Sequence, residues 1–447
     1  MYITVVNGSP KGQYSVTLQT VLYIQKLFPE HTFDIINASR RIKSLEKDFS
    51  QAKESLEKAD LILFSYPVYT FLAPAQLHRF IELTKENGIN LAGKFAAQIT
   101  TSKHFYDVTA HNYIKENCLD LGMRYLDGLS ADMDDLTTKK GQLQAQKLFE
   151  HLVFCAENGL YAEKTQELPA PAHKTVNVPE KTEKSSLKKV VLVTDCTEQG
   201  QLGDMINAFD AVFPYEVKTV RLNDFPFAGG CLGCLNCAST GKCVYKDGFD
   251  SYLRNTIQDS DAIIYAFTVK DHSMGSLFKT YDDRQFCNGH RTVTMGKPVG
   301  YLVSGDISRE ENLRLVLNGR SEAGGNFLAG IASDEFDPDK EIRALSAQLV
   351  YALENAYVMP SNFLGVGGIK IFRDLIYGMR GMMKEDHKFY KANGFYDFPQ
   401  KKKGTTALMY LAGAALSNDK IRSKMGSKMN EGMLLPYKKV LENAKKR

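Results

Sequence analysis

The sequence predicts an α/β protein with two tandem, doubly wound parallel sheets of strand order 2-1-3-4-5, followed by a mostly helical C-terminal extension. Three observations predict this fold class. Short apolar runs alternate with segments of helical spacing, as in parallel sheets that are covered by helices on both faces. The alternation stops in a polar, proline-containing segment and then begins again. The stretches ADLILFSYPVY and SDAIIYAFTVK also align, which indicates that one fold is used twice.

These observations divide the chain into four segments. We expect a sheet domain over residues 1–164, a linker over 165–189, a second sheet domain over 190–358 and a helical extension over 359–447. The linker, TQELPAPAHKTVNVPEKTEKSSLKK, contains three prolines and almost no large apolar residue. Such a composition cannot bury enough surface to fold alone.

In the first domain, apolar runs of strand length are separated by segments of helical length. The predicted strands cover residues 2–7, 31–37, 59–64, 94–100 and 125–131. The predicted helices cover residues 15–28, 44–58, 74–86, 108–121 and 139–157. Strands that are apolar throughout, rather than alternating, are typical of a sheet buried on both faces.

The second domain repeats the pattern. Its predicted strands cover residues 190–195, 215–222, 261–269, 297–304 and 326–333, and helices cover 202–213 and 339–356. The extension begins with an amphipathic segment rich in Met and Gly, residues 363–383, and is mostly helical over 405–447. We expect its apolar residues to dock against the two domains, with a helix lying on a membrane surface as the alternative.

Composition excludes several classes of protein. With 43% hydrophobic and 24% charged residues, the chain of 447 residues is of the globular type. It has no run of 18 apolar residues and no basic, signal-like N-terminal segment, so we expect no membrane span and a cytoplasmic location. Clustered cysteines there favour metal or redox chemistry over structural disulfides. The net charge of +4 gives no indication of a nucleic-acid partner.

The segment NGSPKGQYSVT, residues 7–17, joins the first strand to the first helix. A loop with glycines and hydroxyls at this place brings backbone N–H groups and hydroxyls to the positive end of the helix dipole. That arrangement suits a phosphate monoester. The loop lacks the GK[ST] of a Walker motif, and an ordinary tight turn with a serine cap is the alternative.

Two further polar segments follow the third and fourth strands, at SYPVY (65–69) and TTSKHF (100–105). In an open parallel sheet of this order, ligands bind beyond the carboxyl ends of the strands at the switch point between strands 1 and 3. All three segments are therefore expected on one rim. The first would bind a phosphate, the second would flank a flat ring, and the third would add hydrogen-bond donors.

Four cysteines are crowded into thirteen residues of the second domain with the spacing C-x2-C-x2-C-x5-C: Cys231, Cys234, Cys237 and Cys243. Four convergent thiolates suit a [4Fe–4S] cluster. The gaps are tighter than in the separated C-x2-C pairs of structural zinc sites. Zinc and free or disulfide-forming cysteines remain alternatives. We expect Cys118, Cys155 and Cys287 in the core and assign no function to Cys196.

The pattern NGSPK…S.T followed by YPVY…P resembles the FMN-binding segments of the flavodoxin-like, NAD(P)H-dependent FMN reductase superfamily. The cysteine stretch resembles the compact motif of the iron–sulfur flavoproteins within it. The resemblance covers most of residues 1–357 and implies two flavodoxin-like units. It implies that the FMN phosphate is bound by Ser9, Lys11, Ser15 and Thr17.

The same resemblance assigns the flavin ring. Pro67, Val68 and Tyr69 would flank the isoalloxazine, and Thr101, Ser102 and His104 would approach its polar edge. Tyr69 and His104 are also the candidate catalytic residues, with His104 as a proton donor to the substrate and an exposed, merely hydrogen-bonded histidine as its alternative. Residues 389–398 of the extension are a further candidate for the wall of this pocket.

The second unit departs from the pattern, since Asp195 and Glu198 stand near its phosphate position and FTVK replaces YPVY. Like charges there should weaken FMN binding, so we predict one FMN per chain, in the first unit. Relatives in the superfamily commonly pair as homodimers. A tandem chain would build that pair internally, with the FMN of one half facing the cluster of the other; further oligomerisation stays open. Lys279, Asp283 and Arg284 are expected to serve packing between the halves.

The resemblance implies a cytoplasmic, FMN-dependent oxidoreductase with a [4Fe–4S] cluster as an electron relay. Its donor would be NAD(P)H or a ferredoxin-like protein, and its acceptor a small organic molecule. One alternative is a non-catalytic electron carrier, like a flavodoxin with a built-in ferredoxin. Another is a redox-sensing protein whose cysteines form disulfides.

Overall fold

The computed structural model describes residues 1–162, 173–197 and 199–418, together with 420, 434, 437, 438 and 440–443. Within these residues the chain forms two compact units, Met1–Phe389 and Tyr390–Arg447. Three predictions therefore fall partly or wholly outside the described residues: the first part of the linker, Glu198 of the acidic loop, and much of the helix expected after residue 416.

The first sheet and its helices occupy the N-terminal third of the chain. Their elements are β1 (Tyr2–Asn7), α1 (Val16–Leu27), β2 (Thr32–Ile36), α2 (Ile42–Leu45), α3 (Ser50–Lys58), β3 (Leu61–Pro67), α4 (Ala75–Glu86), β4 (Phe95–Ser102), α5 (Asp107–Asp120), β5 (Arg124–Tyr125), β6 (Leu129–Asp132) and α6 (Lys139–Glu157).

The second sheet and the following helices repeat this layout. Their elements are β7 (Ser185–Thr194), α7 (Gln201–Val212), β8 (Tyr215–Arg221), α8 (Asn236–Thr240), α9 (Phe249–Tyr252), β9 (Ala262–Thr268), α10 (Gly275–Arg284), β10 (Pro298–Ser304), α11 (Glu311–Ala323), β11 (Phe327–Ser333), α12 (Pro338–Asn355), α13 (Phe363–Gly378), α14 (Lys384–Ala392) and α15 (Lys403–Leu416).

Both sheets have the predicted topology. The first has the order β2-β1-β3-β4-β5 with β6 also paired to β4, and the second, read from its other edge, has the order β8-β7-β9-β10-β11. All described strand pairs are parallel. The predicted fold class, with its duplication and its helical C-terminal region, is confirmed.

Two predicted elements of the first sheet are interrupted. The helix expected over 44–58 is divided into α2 and α3, and the strand expected over 125–131 is divided into β5 and β6. The second break lies at Gly128, where a Cβ would stand 2.1 Å from the carbonyl oxygen of Gln98. The close approach of the two backbones requires glycine there and displaces the chain from the regular ladder.

Three apolar clusters fill the fold. Two are outer cores, one on the face of the first sheet that α1 and α6 cover, the other on the face of the second sheet that α7 and α12 cover. The third is shared: it contains Val6 and Phe64 from the first sheet together with Val193 and Phe267 from the second. The inner faces of the two sheets and the helices on those faces thus pack together in one continuous core.

The described part of the predicted linker, residues 173–184, packs along the second sheet. Val176 is buried in that sheet's outer core, and the Lys174 N–H donates to the Asp334 carbonyl over 2.8 Å. Strand β7 then begins at Ser185, inside the segment expected to be linker. The average composition of the segment did not predict this packing, because the contacts come from a few residues such as Lys174 and Val176.

In the described part of the C-terminal unit, the longest helix is α15, with 14 residues. None of its residues is buried. Residues 389–398, the candidate pocket wall, fall across the boundary between the two units, so their place relative to the flavin rim stays a prediction. No helix in the described part of the chain is long and apolar enough to cross a membrane.

Candidate functional site

The loop after β1 turns directly into α1. Ser9 is buried, and Ser15 caps the helix by accepting from the Leu18 N–H over 3.3 Å. Gly12 has φ +57°, and a Cβ there would lie 3.2 Å from the Arg40 side chain. Arg40 therefore brings a second basic residue to the loop that holds Lys11. No motif in the sequence pointed to Arg40, because it follows β2 rather than β1.

The three polar segments meet at the carboxyl ends of the strands, as the strand order predicted. The hydroxyls of Thr17 and Thr101 lie 2.6 Å apart, which links α1 to β4. The Val68 N–H donates to the Thr101 carbonyl over 3.2 Å, and Pro67 is the register partner of Thr101. Residues from all three segments thus surround one rim of the first sheet.

The turn after β3 is tight. The Tyr69 N–H donates to the Leu72 carbonyl over 2.8 Å, and Thr70 and Phe71 between them have positive φ angles of 43° and 71°. Pro67 and Val68 are half-buried, whereas Tyr69 is buried. Burial raises the pKa of the Tyr69 phenol well above its ordinary value, and Cys231 adds to the effect. Tyr69 is therefore a neutral donor near pH 7.

The segment after β4 ends in His104, whose side chain is half exposed. Its ring Nδ1 lies 3.0 Å from the Asp107 carboxylate, and the backbone N–H of His104 donates to Ser102 Oγ over 2.9 Å. Burial acts to raise the pKa of Asp107, but hydrogen bonds from Ser130 and His104 more than offset it and hold that pKa low. His104 is thus an oriented, solvent-accessible imidazole at the rim, which suits a proton donor as well as a plain surface ion pair.

The cysteine loop lies between β8 and α9 and folds back on itself at Gly233, Leu235 and Gly241, which all have positive φ. Cys234 is exposed, and the other three cysteines of the loop are partly buried. Burial raises the pKa of Cys231 to about 12 and that of Cys237 to about 11. All eight cysteines, each within the described residues, are unbridged in the structure.

The cysteine loop lies against the rim of the first sheet. Gln76 Nε2 of α4 donates to the Cys231 carbonyl over 3.3 Å. A Cβ on Gly233 would stand 1.9 Å from Tyr69 Oη and 3.5 Å from Lys11 Cε. The loop from the second unit therefore touches one residue of the segment after β3 and one of the loop after β1 in the first unit.

Three arginines hold the cysteine loop by its backbone carbonyls. Arg284 donates to the Gly229 carbonyl and forms a two-pronged ion pair with Asp247, at 2.8 Å for each pair of atoms. Arg254 donates to the Gly241 carbonyl over 2.8 Å, and Arg291 to that of Cys237 over 3.3 Å. Arg254 and Arg291 could not be predicted from the sequence, because no motif connects them with the cysteines.

Asp386 of α14 fixes the last of these arginines. Its carboxylate is fully buried, 2.8 Å from Arg291 and 3.0 Å from His290 Nδ1. A Cβ on Gly289 would lie 2.3 Å from Asp386, so the chain passes here without side-chain space. The start of the C-terminal extension thus packs beside the cysteine loop.

Helix α10 also holds the turn after β3. Lys279, fully buried, donates to the Tyr69 carbonyl over 3.1 Å and to Thr70 Oγ1 over 2.6 Å. It is also paired with Asp283, whose other oxygen accepts from the Ala75 N–H over 2.7 Å. These residues serve packing between the two halves, as expected from the sequence.

The corresponding rim of the second sheet differs chemically. Burial raises the pKa of Asp195, at the phosphate position, to about 7. Lys270 occupies the position of Tyr69, since each forms the equivalent bridge after its third strand. His173, from the predicted linker, lies 3.2 Å from the Asp334 carboxylate beyond β11.

Residues 1–131 match the family model of NADPH-dependent FMN reductases. Over these residues the first sheet unit is similar to the NADPH-dependent FMN reductases. The match confirms, over residues 1–131, the family that the sequence motifs indicated, and it identifies the chain as an enzyme of the NAD(P)H-dependent flavin oxidoreductase kind.

Two curated relatives are iron–sulfur flavoproteins. That of Archaeoglobus fulgidus is 29% identical over 190 residues, which cover 40% of this chain and 86% of the relative. That of Clostridioides difficile is 37% identical over 72 residues, or 15% of this chain and 32% of the relative. Both names describe proteins with a flavin and an iron–sulfur centre.

Solved structures give weaker similarities. An NADH:FMN oxidoreductase is 18% identical, covers 36% of this chain and 91% of its own, and has a TM-score of 0.30. The flavoenzyme FerB of Paracoccus denitrificans, an NAD(P)H:acceptor oxidoreductase, is 20% identical, covers 35% and 97%, and has a TM-score of 0.30. Values this low say nothing about the substrate of this chain.

The residues of the first rim have the chemistry that an FMN phosphate requires. The loop offers hydroxyls, an ammonium group and the N-terminus of α1, and the first carboxylate of the chain is Glu30. The cysteine loop offers four thiols and a backbone N–H directed at a sulfur, from Gly233 to Cys231 Sγ over 3.4 Å. Both donor sets fit the groups that the family and the relatives indicate.

Proposed function

We propose that this chain is an FMN-dependent oxidoreductase that binds one FMN on the rim of its first sheet and one [4Fe–4S] cluster in its cysteine loop. Electrons would pass between a reduced donor, the cluster and the flavin, and a small organic acceptor. The observation that carries the proposal is the contact of Gly233 with Tyr69 and Lys11, which joins the two sites.

For FMN, the phosphate would be bound by Ser9, Lys11, Ser15 and Thr17, with Arg40 adding positive charge. Pro67, Val68 and Tyr69 would flank the ring, with the neutral Tyr69 hydroxyl as a donor. Thr101, Ser102 and His104 would meet its polar edge. Bound FMN would supply the exchange between two-electron and one-electron chemistry, and the chain's part would be to orient it and exclude water.

For the cluster, the ligands would be Cys231, Cys234, Cys237 and Cys243. Zinc is less well supported, because tetrahedral Zn–S bonds of about 2.3 Å need sulfurs about 3.8 Å apart. In the described part of the chain, no three of these sulfurs lie within 4.8 Å of one another. The buried thiols would have to lose their protons on binding, as thiolate ligation always requires.

A single FMN per chain is supported by the second rim. Asp195 would oppose a phosphate, Lys270 stands in place of the aromatic Tyr69, and His173 with Asp334 lies beyond the strand ends. The second unit would therefore contribute the cluster rather than a flavin. The halves would act as an internal pseudo-dimer.

The donor would be NAD(P)H or a ferredoxin-like protein, in the cytoplasm. The first rim supports a hydride donor because the family is NADPH-dependent. An exposed Cys234 at the edge of the cluster supports a protein donor, since it gives a partner short access to the cluster.

Anaerobic purification with flavin, iron and sulfide analysis tests the proposal. We expect one FMN, about four iron and about four sulfide ions per chain, as a single [4Fe–4S] cluster requires. Cys234→Ser, at the exposed ligand, should lose the cluster and keep FMN. Cys155→Ser, at a buried cysteine of α6 outside the loop, is the control and should keep both.

Full iron and sulfide in Cys234→Ser, or zinc in place of iron in the unaltered protein, would contradict the cluster assignment. Turnover is measured separately, with NAD(P)H or reduced ferredoxin and a panel of quinones and nitroarenes. No turnover with any pair would favour the electron carrier over the enzyme. Disulfides without iron would favour the redox sensor.

A further inference from the structure

Three ligating side chains meet between the two sheet units, away from the cysteine loop. His272 comes from the turn after β9, Glu310 is the N-cap of α11, and Glu116 lies on α5 of the first unit. Each offers one ligand atom, and these atoms lie within 4.8 Å of one another. No other group of three His, Cys, Asp or Glu side chains among the described residues is as compact.

The imidazole is held at both nitrogens. Its Nδ1 lies 3.0 and 3.1 Å from the two Glu310 oxygens, and its Nε2 lies 2.9 Å from Asp120 Oδ2. His272 has φ +60°, in the left-handed region that few residues other than glycine adopt. The ring is thus fixed in place by backbone and side-chain contacts together.

One atom of the group lacks a partner. Glu116 Oε2 is buried and accepts no hydrogen bond. Buried carboxylate oxygens are normally satisfied, because leaving them unpaired costs the full desolvation penalty. Glu116 therefore points to a missing positive partner within the group.

The pseudo-twofold relation supplies an internal comparison. Each of the three positions has a counterpart in the other half: the second positive-φ residue after the third strand, the N-cap of the helix after the fourth strand, and one position within that helix. The counterparts of His272, Glu310 and Glu116 are, in that order, Phe71, Tyr106 and Arg320.

In that other half the positions form an ordinary packed contact. The rings of Phe71 and Tyr106 stack with their centroids 4.2 Å apart, and the Arg320 guanidinium lies 5.6 Å from the Phe71 ring. Packing at this crossing of turn and helix thus needs no ligating residues. All three positions of the second site nevertheless carry them.

We propose that Glu116, His272 and Glu310 bind a divalent transition-metal ion between the two sheet units. One imidazole nitrogen and two carboxylates suit Mn²⁺, Fe²⁺ or Zn²⁺. Asp120 would accept from His272 Nε2, which leaves Nδ1 free to ligate, as outer-shell carboxylates do at histidine metal sites. The ion would provide the positive partner that Glu116 lacks.

A proton is the competing occupant. Burial acts to lower the pKa of His272, but the hydrogen bonds that its ring donates to Asp120 and Glu310 more than offset it and raise that pKa to about 10. Burial raises the pKa of Glu116 to about 7. The charged groups facing the site are Glu116, Asp120, Glu310, Lys85, Lys115 and Asp271.

Mn²⁺ is the probe, because it prefers oxygen and nitrogen over thiolate and leaves the cysteine loop alone. The anaerobically prepared full chain is titrated with Mn²⁺ while the signal of the free ion is followed by electron paramagnetic resonance. We expect one bound ion per chain. Glu116→Gln and His272→Gln should each weaken binding at least tenfold. Glu311→Gln, an exposed carboxylate next to Glu310 in α11, is the matched control and should bind normally.

Flavin content and the metal-free melting temperature check that each variant is folded. A second measurement needs no variant: the bound Mn²⁺ should show magnetic coupling to a single histidine nitrogen. Absence of binding, unchanged binding in both variants, or a bound ion without nitrogen coupling would overturn the proposal. The group would then be an imidazolium bridging two carboxylates.

Discussion

At the scale of the residue, Gly233 is where the cysteine loop passes the rim of the first sheet. Its φ of +61° lies in the left-handed region, and a Cβ would overlap the Tyr69 hydroxyl at 1.9 Å. Glycine is therefore needed for two independent reasons, the backbone conformation and the close approach. The second reason is the one that bears on function.

Gly233→Ala should consequently cost more than backbone strain alone. The left-handed conformation of an alanine costs roughly 1–2 kcal/mol, and displacement of Tyr69 adds to it. Gly248→Ala is the matched control, because Gly248 has φ +82° but no atom within 4 Å of its Cβ position. We expect lower iron content and lower stability for Gly233→Ala than for the control, by iron analysis and thermal unfolding. Equal effects would mean that the loop moves freely past Tyr69.

At the scale of the element, helices α4 and α10 cap each other. Neither has a side-chain cap at its own N-cap residue. Glu82 of α4 accepts from the N–H and hydroxyl of Ser276 at the start of α10, both over 2.7 Å. Asp283 of α10 accepts from the Ala75 N–H at the start of α4 over 2.7 Å. Each carboxylate thus meets the positive end of the other helix.

Both capping carboxylates are buried, but the lysines that they pair with differ in exposure, which predicts unequal costs of removal. Asp283→Asn leaves the fully buried Lys279 without its counter-charge, which should cost about 3–5 kcal/mol. Glu82→Gln leaves Lys270, which is half exposed and can be solvated, and Arg79, which keeps two other carboxylate partners, so the cost should be about 1 kcal/mol. Urea unfolding of the two variants measures the difference. Equal costs would contradict the role of Lys279 as a buried ion.

At the scale of the whole molecule, the two sheet units are joined by the core that they share. Residues from both sheets line it, and the turn after each third strand packs on the other unit. Without the second unit, the first unit would therefore expose the apolar inner face of its sheet and helices to water. The duplication builds within one chain the interface that two chains would otherwise form.

A fragment of residues 1–162 tests this interdependence. With its inner face uncovered, we expect the fragment to self-associate or precipitate, because large exposed apolar patches promote aggregation. Size-exclusion chromatography of the fragment beside the full chain measures the outcome. A soluble, cooperatively folded monomer would contradict a core that both units need.

The fold could be predicted from the sequence because its signals are local. Apolar runs gave the strands, the second round of alternation gave the duplication, and the strand order placed the segments at Thr17, Val68 and Thr101 on one rim. The cysteine spacing likewise indicated one compact loop. Where local averages misled, as for residues 173–184, a few specific contacts outweighed composition.

Only the tertiary structure decided what these parts contact. Nothing local connects Gly233 with Tyr69, Arg291 with Cys237, or His272 with Glu116, because each pair is separated by dozens of residues or more. These contacts arise from the pseudo-twofold packing of two sheets, which periodicity does not encode. The sequence by itself therefore determined the two sheets and their loops, whereas the packing of one sheet on the other decided that the cysteine loop lies at the rim of the first sheet.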